Sequence, residues 1–251
     1  MVAAIVVFML VPLAVVVASS LSASEFLVFP PRGLSLRWYQ EILSSREYTA
    51  AAWTSLKLAC VVTVVSLAIG TAAAIALARS RFPGRELLVG LFLSPLVLPT
   101  IIFGIGLLMV FSRYADGPSF AALAVGHVVV TLPYVVRTVS AVLEGADRHA
   151  EEAARTMGAR WWQRYWHVVI PQCRGGMLAG AFFAFNISFD EAVIALFLRV
   201  PGAETLPLTI YSKLEFSPDP SVAAVSSVLI ALTVLLIVIA ERLLGLDTLT
   251  R

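Results

Sequence analysis

Six apolar runs govern what this chain can become: approximately Val2 to Leu21, Trp53 to Ala78, Leu87 to Phe111, Phe120 to Val142, Met177 to Leu198, and Val222 to Ala240. Each is close to the roughly 20 helical residues needed to cross a hydrocarbon core about 30 Å thick. Inside lipid every backbone N–H and C=O must be satisfied within the segment, so unbroken runs of this length predict helices. A membrane barrel would show alternating segments of about ten residues instead. With 59% hydrophobic and only 14% charged residues, a water-soluble domain would have to expose wide apolar surface. The fold class expected is an all-α integral membrane protein, a single six-helix bundle covering residues 1–251.

Several function classes drop out at once. Eighteen Lys and Arg against sixteen Asp and Glu leave +2, no basic surplus for a nucleic-acid partner. The three histidines and two cysteines are scattered without metal-ligand spacing. No Gly-rich loop ending in Lys and Ser or Thr is present, so the chain is predicted to bind no ATP and to be no enzyme. No catalytic, cofactor or metal residue is assigned.

The basic residues orient the bundle. Alternate loops and the tail place Arg79, Arg81, Arg85, Arg148, Arg155, Arg160, Arg164, Arg174, Arg242 and Arg251 on one side, ten against six on the other (Arg32, Arg37, Arg46, Arg113, Arg199 and Lys213). The richer side reads as cytoplasmic, with both termini there. Residues 22–52 then form an external loop and residues 143–176 a cytoplasmic one. The first run has no charged leader and exceeds a signal peptide's apolar stretch, so it reads as an uncleaved helix.

Inside the runs, Pro95, Pro99 and Pro133 are expected to bend helices, either as packing features or along a path that opens and closes. Gly70, Gly104 and Gly106 offer small faces for close helix contact. His127 reads as a hydrogen-bonded packing residue, with a proton-relay role as the alternative. Arg137 can snorkel to the headgroups without a counter-charge. In the outward loops, Leu36, Trp38 and Tyr39, and later Leu208, Tyr211 and Leu214, form amphipathic pieces that either lie at the interface, meet an external partner or cap the bundle.

The loop from Gly145 to Gly176 is too polar to insert, yet His149 to Met157 is rich in helix formers. Glu151 and Arg155 stand one turn apart in the stabilising order, and Ala153, Met157 and Trp161 share a face. Gly158 ends the helix, and a second amphipathic stretch with Trp162, Tyr165, Trp166 and Val169 leads to Pro171. One reading is a surface helix anchored by tryptophans. The other is a small-residue knob, at Ala153, Ala154 and Gly158, on which another protein can seat.

Glu152-Ala153-Ala154, Gly158 and Ile170-Pro171 resemble the EAA loop of the permease subunits of binding-protein-dependent ABC importers. The resemblance implies a coupling helix seated in an ATP-binding subunit, with Glu152, Ala153, Ala154, Met157 and Gly158 as the ATPase-coupling residues. Phe29-Pro30, Gly33 to Tyr39, Ser188 to Glu191, Pro201-Gly202, Thr205 to Pro207 and Asp219 to Ser226 are similar to the spermidine/putrescine branch, specifically its second permease subunit. Relatives moving iron, thiamine-like compounds or aminophosphonates share parts of that pattern. Implied partners are a cytoplasmic ABC ATPase dimer, which uses ATP and Mg, a second related permease, and an extracytoplasmic solute-binding protein. The implied location is a bacterial inner membrane.

A polyamine path needs carboxylates for ammonium groups and apolar or aromatic walls for the methylene stem. Asp190 and Glu191 are the only acids deep within a predicted span, with Asn186, Phe185 and Phe189 one turn earlier or adjacent. Asp190 is the first choice for a cation contact, with bracing of a partner helix as the alternative. Glu191 would point about 100° around the helix from it. A secondary transporter is disfavoured by the polar EAA-like loop, whereas a purely structural membrane subunit is harder to set aside.

Overall fold

The protein was analysed as a computed structural model, which describes residues 1–80 and 82–244. Arg81 and Arg251, two of the residues used to orient the bundle, lie outside those. Twelve helices follow one another among the described residues: α1 Val2–Ser20, α2 Arg37–Ser44, α3 Arg46–Arg79, α4 Arg85–Leu93, α5 Thr100–Tyr114, α6 Phe120–Glu144, α7 Arg148–Thr156, α8 Trp161–Arg164, α9 Ile170–Asp190, α10 Val193–Phe197, α11 Leu206–Phe216 and α12 Pro220–Leu244. Four continuous helical stretches are long and apolar enough to cross a membrane: α3, α6, the run Trp161–Asp190, and α12.

The centre is the triangle of α3, α6 and α9. Ala74 and Ile75 of α3, Val135, Val139 and Leu143 of α6, and Cys173 and Ala184 of α9 form one buried cluster. Helices surrounded by lipid gain little from apolar burial, so close backbone approach and hydrogen bonds must hold them. Both are present. A Cβ on Gly176 would lie 2.7 Å from the Thr138 carbonyl, and one on Gly180 would lie 2.9 Å from the Thr138 hydroxyl, so α9 rides directly on α6. Gly70 meets Val135 and Gly104 meets Phe197 in the same way, whereas Gly106 faces open space and supports no contact. Ser66 of α3 pairs with Thr131 of α6 at 2.7 Å, and His127 Nδ1 lies 3.0 Å from Ser188 Oγ on α9. His127 is thus buried with Nδ1 hydrogen-bonded, while its Nε2 has no partner among the described residues.

One end of the triangle is closed by α2 and α11. Trp38 and Ile42 of α2 are buried against Leu206, Ala224 and Val225, and the Trp38 indole N–H donates to the Ser22 carbonyl at 3.0 Å. The Leu206 amide donates to Ser55 Oγ at 2.8 Å. Both outward loops pack onto the end of the bundle, while Leu36, Tyr211 and Leu214 stay exposed. Tyr39 joins three elements, its hydroxyl 2.6 Å from Ser20 and 2.7 Å from Ser227.

Three expected runs are corrected. The run Leu87 to Phe111 is not one helix: Arg85–Leu96 and Thr100–Tyr114 meet at 102°. Pro95 and Pro99 cause this, because each lacks an N–H and clashes with the preceding turn. Pro133, in contrast, lies buried inside an uninterrupted α6. The run Met177 to Leu198 begins far earlier, since α8, a π turn over Tyr165–Val169 and α9 make one continuous stretch, and it stops at Asp190. The second run starts seven residues early, at Arg46, where Ser45 caps the helix and Glu47 occupies its first turn.

Candidate functional site

At the other end of the triangle sits α7. Asp147 caps it, its carboxylate accepting from the His149 amide at 2.8 Å. The helix closes with the Gly158 amide on the Arg155 carbonyl and the Ala159 amide on the Ala154 carbonyl, both at 3.0 Å. This pair of bonds defines a Schellman closure, which needs a left-handed residue after the last turn. Gly158 supplies it with φ +84°, and a Cβ there would meet no atom within 4 Å. The glycine is thus demanded by backbone conformation, and its surface is bare.

The two adjacent glutamates of α7 have opposite roles. Glu151 turns inward, with Arg79 Nε at 3.1 Å and an Arg164 nitrogen at 4.0 Å. Side-chain exposures of 9% for Arg79 and 17% for Glu151 make this a largely buried ion pair. The Arg79 N–H is not aimed at the carboxylate, so attraction of charge rather than an aligned hydrogen bond holds the contact. Glu151 thereby ties α7 to the last turn of α3 and to α8. The expected Glu151–Arg155 pair is replaced by this tertiary arrangement. Glu152 turns outward, 74% exposed, with only His149 Nδ1 near it at 3.8 Å.

Ala153, Met157 and Gly158 are exposed together with Glu152, Met157 at 82%. Ala154 is less open than these: it is buried at 8%, largely turned onto the chain itself, and shows only at the wall of a neighbouring cleft. A cleft of about 390 Å³ opens beside the knob, lined by Ala154, Met157, Gly158, Gln163, Arg164 and His167. Trp161, Trp162 and Trp166 are exposed next to it, suited to a headgroup boundary.

The residues proposed along a solute path are brought together only in part. Asp190 is the last residue of α9, exposed, and without an ion-pair partner among the described residues. Glu191 is extended rather than helical, with ψ 108°, and its carboxylate accepts from the amides of Val193 at 2.8 Å and Ile194 at 3.1 Å. It caps α10 and does not share a helix face with Asp190. Asn186 donates back to the Phe182 carbonyl at 2.8 Å. Phe185 and Phe189 stack, centroids 5.8 Å apart, and Phe189 packs against the Trp38 and Ile42 cluster. Of the five, Asp190 alone has both exposure and a free carboxylate among the described residues.

Arg79 was not singled out from sequence as a site residue. Its signal was faint: an arginine in the last turn of a long apolar helix, where a cation is ordinary.

The described residues form a bundle of apolar helices long enough to cross a membrane, with a polar knob at one end. Residues 66–246 match the family described as the binding-protein-dependent transport system inner membrane component, and the chain belongs to that family. It is a multi-pass inner-membrane permease subunit, not an enzyme. It is 30% identical over 244 residues, 97% of this chain and 92% of the relative, to the spermidine/putrescine transport system permease protein PotC of Escherichia coli (strain K12). The putrescine transport system permease protein PotI of the same strain is 31% identical over 230 residues, 89% of this chain and 82% of its own. The sulfate transport system permease protein CysT, also of that strain, is 32% identical over 219 residues, 81% and 79% respectively. Among solved structures, the inward facing MetNI methionine ABC transporter matches with TM-score 0.65 and 20% identity, over 78% of this chain and 93% of that one. A bacterial ABC transporter involved in import of the acidic polysaccharide alginate matches with TM-score 0.67 and 16% identity, over 97% and 92%.

Proposed function

We propose that this chain is one of two permease subunits of an ATP-driven importer of polyamines, and that α7 is the element through which it is driven. The observation that carries the reading is the exposed knob of Glu152, Ala153, Met157 and Gly158 on a helix pinned from behind by Glu151. A short helix held rigidly on its inner face and bare on its outer one can transmit a push without deforming. The chain has no phosphate loop, so hydrolysis falls to a partner ATPase dimer with its ATP and Mg. Ala154 contributes by packing α7 to the bundle.

In this reading the α7 end is cytoplasmic, together with both termini and residues 143–176. Residues 22–52 face outward, where α2 and α11 would meet a solute-binding protein. Six crossings require α1 and the bent α4–α5 pair to cross once each beside the four long stretches. The arrangement corresponds to a type I importer permease, completed by a second, different permease.

For the solute, a carboxylate at Asp190 suits an ammonium group. The polyamine permeases match over more of the chain than the sulfate permease, which reaches a comparable identity over a shorter stretch. The experiment is reconstitution of the chain with an importer ATPase, a sister permease and a solute-binding protein from the same organism, followed by uptake of labelled spermidine, putrescine and sulfate. ATP-dependent polyamine uptake is expected. Sulfate uptake in its place would reject the substrate, and uptake without ATPase would reject the mechanism.

A further inference from the structure

A second cleft, of about 380 Å³, lies between the last turn of α3, α4 and the end of α6. Its lining includes three arginines, Arg85, Arg137 and Arg148, against one carboxylate, Glu144. Two of the three are tethered by a single nitrogen each. Arg85 Nε donates to the Leu77 carbonyl at 2.7 Å, and an Arg148 terminal nitrogen donates to the Ala78 carbonyl at 3.3 Å. Those carbonyls belong to the end of α3, where helical carbonyls lack partners and the dipole favours cations. Each tether fixes a guanidinium while using one of its five N–H donors, so donors remain for a ligand. A second Arg85 nitrogen has Glu86 at 3.9 Å, but that carboxylate is 98% exposed. Arg137 has no acid within ion-pairing distance among the described residues.

The walls give the ligand a second property. Arg85, Val89 and Leu93, spaced by four, present one face of α4 to the cleft. Val136 of α6 and Leu77 of α3 complete the apolar part of the wall. Arg137 stands seven residues, about 10 Å, before the end of α6, several ångströms inside a hydrocarbon core centred on a helix of this length, from where its long side chain can snorkel to the headgroups. A ligand matching both parts carries phosphate oxygens, which guanidinium groups grip bidentately, and long apolar chains beside them.

We propose that this cleft binds an anionic phospholipid, its phosphate held by Arg85, Arg137 and Arg148 and its acyl chains lying along α4. Inorganic phosphate shares the headgroup chemistry but would leave the apolar wall bare. The proposal depends on the membrane location alone and not on which end of the bundle is cytoplasmic.

The test is native mass spectrometry on the delipidated full-length chain in detergent, with phosphatidylglycerol, phosphatidylethanolamine or inorganic phosphate added to wild type and to an Arg137→Gln/Arg148→Gln variant. Wild type is expected to retain phosphatidylglycerol about tenfold better than the variant, in preference to phosphatidylethanolamine, with millimolar phosphate failing to displace it. Equal retention by the two proteins, or displacement by phosphate, overturns the proposal. If the double variant fails to fold, Arg137→Gln, which breaks no tether, decides: an undiminished lipid signal overturns the assignment.

Discussion

Arg79 at the end of α3 holds Glu151 of α7 at 3.1 Å across 72 positions of sequence, and both are largely out of solvent. Arg164 approaches the same carboxylate from α8 at 4.0 Å. The knob that faces outward is therefore positioned by a residue it does not contain.

Replacing Glu151 by Gln leaves two guanidinium groups facing each other without a counter-charge. Removing one partner of a buried pair costs on the order of 3 kcal/mol. The variant should melt earlier in detergent and should hydrolyse more ATP per solute moved in the reconstituted importer. The exchange Arg79→Glu with Glu151→Arg should recover part of both losses. An unchanged ratio of hydrolysis to uptake would reduce Glu151 to a stabilising residue only.

Gly158→Val tests the turn that ends α7. A left-handed conformation costs a β-branched residue roughly 2 kcal/mol or more, and no steric clash obscures the effect because a Cβ there meets nothing. Co-purification with the ATPase should fall sharply, while Gly158→Asn, which tolerates that conformation, should keep most of it. Equal recovery of ATPase with Val and Asn would show that the turn is not what the partner reads.

Two glycines, one on α9 and one on α5, should behave oppositely. At Gly176 a Cβ would sit 2.7 Å from the Thr138 carbonyl, whereas at Gly106 it would meet nothing within 4 Å. Gly176→Ala should cost about 1–3 kcal/mol through separation of α6 and α9. Gly106→Ala should be neutral or slightly stabilising, because alanine is the better helix former. Thermal midpoints of the two purified variants make the comparison; a matching drop in both would contradict the packing described.

What was legible in the sequence follows from the range of the forces involved. The turn at Gly158 and the break near Pro95 and Pro99 are local, since one backbone conformation and two missing N–H groups dictate them. The end of α9 was not legible, because Met177 to Leu198 contains neither glycine nor proline near the break. Glu191 makes it by taking the amides of Val193 and Ile194 for its own carboxylate. An acid inside an apolar run reads equally well as a solute contact. Likewise the i,i+4 spacing of Glu151 and Arg155 predicted a local pair, but a partly dry site with Arg79 and Arg164 outweighs an exposed one-turn pair worth a few tenths of a kcal/mol. The small face was half visible: spacing placed Ala153 and Ala154 on a knob, and only the packing of α7 shows that Ala154 looks inward.

Lys213 of α11 lies 3.3 Å from Glu47 in the first turn of α3. Burial lowers its basicity, but the Glu47 hydrogen bond and charge, with Tyr48 and Asp219, outweigh that and hold its pKa above the ordinary lysine value. A raised folded pKa means the stabilisation is complete below the unfolded value of about 10.4 and is lost as pH rises through the folded one. Lys213→Met should therefore melt below wild type by a constant margin from pH 7 to 9. The margin should shrink above about pH 10.5. A margin already fading at pH 8 would assign the stabilisation to another group.

Asp190 ends α9 exposed, while its neighbour Glu191 is consumed in capping α10. A carboxylate in or beside a membrane span is expensive unless it faces water or a cation. Asp190→Asn keeps the shape and removes the charge, so the importer should assemble normally and hydrolyse ATP at its basal rate. Uptake of a polyamine should fall about tenfold, the loss of one charge-assisted contact in a confined path. Glu191→Gln gives the contrasting case. It weakens the cap without removing a path charge, so it should lower thermal stability and leave the apparent affinity for the solute unchanged. Unaltered polyamine uptake in Asp190→Asn, with Glu191→Gln impaired in affinity, would move the cation contact to the capping residue.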